Sequence, residues 1–200
     1  ACTDGLAFDL LPQLFSQFRH DHPGVMFYLN VGTAVEVSEM IHKGEVDFAL
    51  QFSLVAERGV DIMASFPAPV RMVMRPDHPL AGSHVQLTDL HPYPLAMNEQ
   101  GSTIRQLFDL SCRMSGVFLE PAVSCNRFSV LYDFMVHTPG AIAACSHFSI
   151  MYKARRDNLR VKPVNIEQLN QRTLQLQSPA GKRRSAALTQ FIEFVRGEIA

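Results

Sequence analysis

Residues 25–52 read VMFYLNVGTAVEVSEMIHKGEVDFALQF. Two runs of strand-forming residues flank a helical pattern in this segment. Residues 25–31 are rich in β-branched and aromatic side chains and predict a strand, which Gly32-Thr33 closes. Over 34–43, Val37, Met40 and Ile41 fall on one face of a helix. Gly44 stands just past its end, where left-handed backbone favours glycine. Residues 46–52 (VDFALQF) predict a second strand. Strand, helix and strand with short connections imply a parallel or mixed sheet covered by helices.

The pattern continues on both sides. Upstream, Phe8, Leu11, Phe15 and Phe18 make one face of a helix predicted over 7–20, widened by Leu14 and stopped by Pro23-Gly24. Asp4 and Gly5 precede it as a capping region. Downstream, 60–66 and 70–75 predict strands, punctuated by Pro67 and Pro69, and 77–81 predict a turn. A strand at 95–98 leads through Gly101-Ser102-Thr103 into a helix that ends before Gly116. A strand at 121–125, an apolar helix at 128–136 and a buried strand at 141–145 follow. The basic stretch 153–162 reads as a solvated loop and an edge strand. The chain closes with a strand at 173–177 and a helix at 185–199, which carries Leu188, Phe191, Ile192, Val195 and Ile199 on one stripe.

Composition narrows the function. The 200 residues are 47% hydrophobic, and 18 Lys and Arg against 19 Asp and Glu give a net charge of −1. A protein that grips nucleic acid through phosphates needs a basic surplus. The longest apolar runs, 25–29 and 141–145, fall far short of the roughly 20 residues of a membrane-spanning helix. The sequence opens on Ala1 with no signal-peptide pattern, and is read as a fragment or a processed product. Cys2, Cys112, Cys125 and Cys145 make no CxxC or metal spacing and read as reduced cytosolic thiols. His20 and His22 lack a third ligand. No GxSxG, P-loop or HExxH is present, so no catalytic residues, metal or cofactor are assigned.

Four turns share a position after a strand and before a helix: Thr3-Asp4-Gly5, Gly32-Thr33, Gly101-Ser102-Thr103 and 126–129. In open α/β sheets, ligands bind at the carboxyl ends of strands, and helix N-termini there attract anions. The bland alternative makes each Ser, Thr or Asn a helix cap. Arg105 is either a partner for a ligand carboxylate or a surface residue. Phe52 is either a wall of the pocket or core.

Several phrases, in this order, resemble the effector-binding domain of LysR-type transcriptional regulators. They are Leu11-Pro12…Phe18…His22-Pro23-Gly24-Val25, then Met40…Gly44-Glu45-Val46-Asp47-Phe48-Ala49-Leu50. Next come Pro76-Asp77-His78-Pro79-Leu80-Ala81, Leu87-Thr88-Asp89-Leu90 and Gly101-Ser102-Thr103-Ile104-Arg105, and last the strand 141–144. Two departures stand near the expected cleft rim: Pro139-Gly140-Ala141 replaces a glycine-rich turn, and Ser146 replaces a proline.

The resemblance implies an α/β fold of two Rossmann-like lobes joined by two crossover strands, of the type 2 periplasmic-binding-protein kind. Lobe I would be 1–70 plus 174–200, and lobe II 71–173. It implies a ligand-sensing, cytoplasmic, non-enzymatic domain that binds a small anionic effector such as a carboxylate between the lobes. Expected effector residues are Thr3, Asp4, Gly32, Thr33, Phe52, Gly101, Ser102, Thr103, Arg105, Asn126 and Ser146. It further implies a homodimer, or a tetramer at full length, paired through the helices at 7–20 and 128–136. DNA would be bound only through an N-terminal helix-turn-helix outside this sequence. Competing readings are a transporter's solute-binding protein, an enzyme on the same fold, and a redox sensor using Cys112 and Cys125.

Overall fold

The computed structural model of the protein describes residues 1–55 and 58–199. The chain begins with β1 (Cys2–Thr3), α1 (Asp4–Phe8), α2 (Leu10–Asp21), β2 (Val31–Gly32), α3 (Ala34–His42), β3 (Ala49–Ser53) and β4 (Val60–Pro67). It then crosses to β5 (Val70–Met74), β6 (Leu95–Asn98), α4 (Thr103–Met114), β7 (Val123–Cys125), α5 (Phe128–His137), β8 (Ile142–Ser146), α6 (Lys153–Arg156) and β9 (Arg160–Pro163). It returns through β10 (Thr173–Pro179) and α7 (Ala186–Ile199).

Two five-stranded sheets result, ordered β2-β1-β3-β10-β4 and β7-β6-β8-β5-β9. Both follow one plan. Three parallel strands are joined by a strand running the opposite way, which pairs antiparallel with an edge strand. In each sheet the reversed strand, β10 or β5, is the one that arrives from the other lobe. A chain entering at the cleft must run away from it, so the remaining strands point their carboxyl ends at the cleft.

Alternation along the strands builds the layers. On β3 and β10, Leu50, Phe52, Leu174 and Leu176 face the core formed with α2 and α7. The opposite face turns Ala49 into a smaller core with Val37 and Ile41 of α3, and it also carries Gln51, Gln175 and Gln177. These buried amides bond one another: Gln51 Nε2 donates to Gln177 Oε1 at 2.7 Å, and Gln177 Nε2 to Gln175 Oε1 at 2.8 Å. Burial without such partners would be costly. In the second sheet Met72, Met74, Met97 and Ile142 pack against α4, while Val73, Ala96, Ala143 and Cys145 pack against α5.

The structure corrects several expected elements. The helix expected over 7–20 is two helices that break at Asp9, whose backbone (φ −137°, ψ −54°) is not helical. The buried Asp9 carboxylate accepts the amides of Tyr152 and Lys153 at 2.7 and 3.0 Å, so the break is stabilised from the far lobe. Of the strand expected over 25–31, only Val31–Gly32 joins the ladder. The basic stretch holds the short α6 before the edge strand β9. Much of the apolar stripe on each of the helices at 7–20 and 128–136 is buried within the chain. Leu10, Leu11, Leu14 and Phe18 of α2 are buried, as are Phe128, Leu131, Tyr132 and Met135 of α5.

The turn at 77–81 is organised by a buried histidine. His78 Nδ1 accepts the Leu80 amide at 3.0 Å, leaving Nε2 to donate to the Gly140 carbonyl at 3.2 Å. Burial lowers the His78 pKa below its ordinary 6.5, and burial does the same to His147. The folded state therefore disfavours protonation that the unfolded chain accepts. This stability is present above pH 6.5 and is lost as the pH falls through and below that value. Urea midpoints measured from pH 8 to pH 5 are expected to drop below pH 6.5, with a shallower drop in His78→Gln; equal slopes would remove His78 from this role.

Candidate functional site

The carboxyl ends of both sheets face a shared cleft of about 470 Å³. From the first sheet's side come Thr3, Asp4 and Gly5 after β1, residues 31–36 after β2, and Phe52 of β3. From the second come residues 98–104 after β6, Asn126, Arg127 and Phe128 after β7, and Ser149. Arg172, at the return crossing, completes the lining.

The helix N-termini in the cleft are largely capped from within. Thr33 and Glu36 form a capping box on α3: Thr33 Oγ1 accepts the Glu36 amide at 3.3 Å, and Glu36 Oε2 accepts the Thr33 amide at 2.7 Å. Those bonds hold the Glu36 carboxyl below its ordinary pKa. The carboxylate reaches this place because Gly32 has no side chain; a Cβ there would lie 3.0 Å from Glu36 Oε2. On α4, Ser102 Oγ accepts the Arg105 amide at 3.2 Å. Gly101 precedes it with φ +95°, a backbone state that other residues seldom adopt.

Asp4 caps a helix of the other sheet. Its Oδ2 accepts the Phe128 amide, the first of α5, at 2.6 Å, and its Oδ1 pairs with Arg127 at 3.2 Å. Beside this contact Phe8 of α1 packs edge-on against Phe128, with ring centroids 5.3 Å apart. The cleft is thus spanned by a carboxylate-to-amide bond that lies next to an apolar contact.

Arg172 is a cleft residue that sequence reasoning missed. It is 1% exposed. Its guanidinium lies 4.0 Å from the centre of the Phe52 ring. Nε donates to the Ala68 carbonyl at 3.0 Å and Nη1 to Thr103 Oγ1 at 3.3 Å. Nη2 has no partner among the described residues, and no carboxylate pairs with the guanidinium there. Burial without a counter-ion lowers its pKa to about 9, which still leaves the cation charged at neutral pH. Thr3 Oγ1, from the end of β1, is also buried and unpartnered among the described residues. An unpaired buried cation and an unpaired hydroxyl, on two residues that line one cleft, are groups whose lost hydration is uncompensated among the described residues.

Nine of the expected residues line the cleft: Thr3, Asp4, Gly32, Thr33, Phe52, Gly101, Ser102, Thr103 and Asn126. Phe52 is both core and wall. Arg105 and Ser146 do not line it. Arg105 Nε is taken by Asp109 one turn along α4, at 2.7 Å. Ser146 is fully buried, and its hydroxyl accepts the Phe148 amide at 3.4 Å. Glu36, Glu99, Arg127 and Arg172 were missed. The Thr33-x-x-Glu36 spacing is a capping-box signal present in the sequence; nothing local marks Arg172. Burial pushes the Cys112 thiol up to about 11, which disfavours the thiolate a redox sensor needs.

A family model of the LysR substrate binding domain matches residues 1–200. The chain belongs to that family. Among curated relatives of this LysR domain is the RuBisCO operon transcriptional regulator of Allochromatium vinosum, 26% identical over 193 residues, covering 94% of this chain and 62% of the relative. Another is the transcriptional regulator GalR of Pseudomonas putida, 26% identical over 192 residues, covering 92% of this chain and 48% of the relative. The chain therefore spans less than two thirds of these relatives. Similar solved structures include the Synechocystis CcmR regulatory domain in complex with 2-PG, with a TM-score of 0.73 at 20% identity over 99% of this chain and 95% of that one. The QuiR effector-binding domain in complex with shikimate gives 0.72 at 17%, over 99% and 94%. No helix among the described residues is long and apolar enough to cross a membrane.

The Asp4 contact can be weighed directly. Asp4→Ala leaves the first amide of α5 without its acceptor and is expected to cost about 1–2 kcal/mol. Urea unfolding measures it; an unchanged midpoint would mean that the cross-cleft bond contributes nothing.

Proposed function

We propose that this chain is the ligand-sensing domain of a cytoplasmic LysR-type transcriptional regulator, and that its effector is a small organic anion, most simply a carboxylate. The observation that carries this reading is Arg172, a buried guanidinium whose Nη2 is unpaired among the described residues; it lines the same cleft as Thr3, whose hydroxyl is likewise unpaired. The anion would take Arg172 Nη2 and Thr3 Oγ1. Thr103 and Ser102 would supply further hydroxyl contacts, with Gly32, Thr33, Gly101 and Asn126 shaping the walls. Asp4, engaged with α5, serves closure rather than contact with the anion. Residues 1–70 with 174–200, and 71–173, would be the two bodies that move on binding. The matched relatives are transcriptional regulators, which favours this reading over a transporter's solute-binding protein.

A thermal-shift screen of small carboxylates and hydroxy acids tests the site. A ligand at 100 times its Kd adds about 2.7 kcal/mol of stability. Arg172→Met removes a buried charge that has no counter-ion, so the domain is expected to stay folded and to lose the response. Thr103→Val is expected to weaken binding by about 1–3 kcal/mol. A ligand that stabilises Arg172→Met as much as wild type would place the anion elsewhere.

We further propose that a second copy pairs through the edge of the first sheet. Met26 (73% exposed), Tyr28 (86%) and Val35 (69%) project there, beside the edge strand β2. An unpaired strand edge with exposed apolar side chains is a ready surface for association. In sedimentation at about 10 µM, the scale of a modest dimer, wild type is expected to be dimeric and Tyr28→Asp monomeric. A monomeric wild type would exclude this interface.

A further inference from the structure

A second concavity, of about 280 Å³, lies at the other end of β10 from the cleft. Arg172 stands just before that strand and Ser178 near its end, six residues on, so the two sites are about 20 Å apart. Ser178 lines the concavity and is 1% exposed, yet its Oγ has no hydrogen-bond partner among the described residues. A buried hydroxyl that makes no bond gives up the hydration it had in the unfolded chain, and calls for a partner in the space it faces.

Three consecutive cations border the same space: Lys182, Arg183 and Arg184. Lys182 Nζ reaches Asp47 at 3.2 Å, and Arg184 Nη2 reaches Asp61 at 3.3 Å. Arg184 Nε is buried without a partner among the described residues, and Arg183 makes no ion pair among them. The helix α7 opens here. Ser185 Oγ accepts the Leu188 amide at 3.1 Å, while the amides of Ala186 and Ala187 have no acceptor within the helix. The positive end of a helix of 14 residues therefore points at a basic loop and an unbonded hydroxyl. Two carboxylates oppose these cations, Asp47 paired with Lys182 and Asp61 paired with Arg184; their side chains are exposed, so solvent screens both, and Arg183 keeps its charge uncompensated by any ion pair among the described residues.

We propose that this concavity binds a tetrahedral oxyanion of the phosphate class, either free phosphate or the phosphoryl group of a phosphomonoester. Donors arrive from a strand, a loop and a helix, three directions that match a tetrahedral anion better than a planar carboxylate. Ser178 Oγ and the first-turn amides of α7 donate to the oxygens, and Arg183 and Arg184 supply the charge. The site is independent of the cleft ligand.

The test is an amide NMR titration of the domain with inorganic phosphate and, separately, phenyl phosphate, each at constant ionic strength balanced with sodium chloride. Saturable shifts are expected at residues 182–188, with Kd on the order of 1 mM. Ser178→Ala and Arg183→Gln are each expected to weaken binding about threefold to tenfold, and Arg172→Met to leave it unchanged. Tighter binding of phenyl phosphate makes an esterified phosphoryl group the occupant; tighter binding of inorganic phosphate makes it the free ion. Shifts that do not saturate, that spread over all basic residues, or that persist unweakened in both variants overturn the proposal. Arg183 is exposed, so Arg183→Gln keeps the test decisive if Ser178→Ala fails to fold.

Discussion

The two segments that cross between the lobes are bonded to each other. The Ala68 amide donates to the Arg172 carbonyl at 2.8 Å, and Arg172 Nε donates back to the Ala68 carbonyl at 3.0 Å. This reciprocal pair fixes where the chain passes from sheet to sheet. It lies just before the starts of β5 and β10. It also holds the Arg172 side chain against Phe52, in a place where solvation is lost and no acid compensates. The crossing and the site therefore meet at the same two residues, the main-chain bond serving the crossing and the side chain the site.

That arrangement revises the usual account of anion capture at strand ends. Helix N-termini do converge on the cleft, but each already has one first-turn amide taken by a side chain. Glu36 occupies the start of α3, Ser102 that of α4, and Asp4, reaching across, that of α5. An arriving anion would compete with carboxylates at two of these three ends. The unpaired Nη2 of Arg172 meets no such competition, and a buried guanidinium interacts more strongly with an anion than solvated dipoles do.

The layered architecture was legible because it depends on local periodicity. Val37 and Ile41, Leu174 and Leu176, and Phe191 with Val195 repeat at the spacing of their elements, and they are buried in the structure. The cleft-lining turns were legible because strand-to-helix turns must gather at one end of such a sheet. What stayed hidden was decided by partners distant in sequence. Asp9 breaks a well-patterned helix for amides more than 140 residues away. Arg172 looks like any polar residue before a strand until Ala68 and Phe52 enclose it. Arg105 was drawn to the cleft by its place in a motif, but the nearby Asp109 claims it first. The helical stripes of α2 and α5 looked like surplus for a partner because their own core was not yet visible.

The position of β10 has a consequence for how the protein is made. This strand fills the gap between β3 and β4, pairing with Leu50 on one side and Ala64 on the other. During synthesis both neighbours emerge more than 100 residues ahead of it. The second sheet, by contrast, is drawn entirely from one continuous stretch between β5 and β9. It can close as soon as that stretch leaves the ribosome. The first sheet has to wait with two open strand edges, the kind of surface that invites pairing with other nascent chains. Of the two sheets, the one whose strands begin first is therefore the last to finish, and within this domain the order of assembly runs from the middle of the sequence outward.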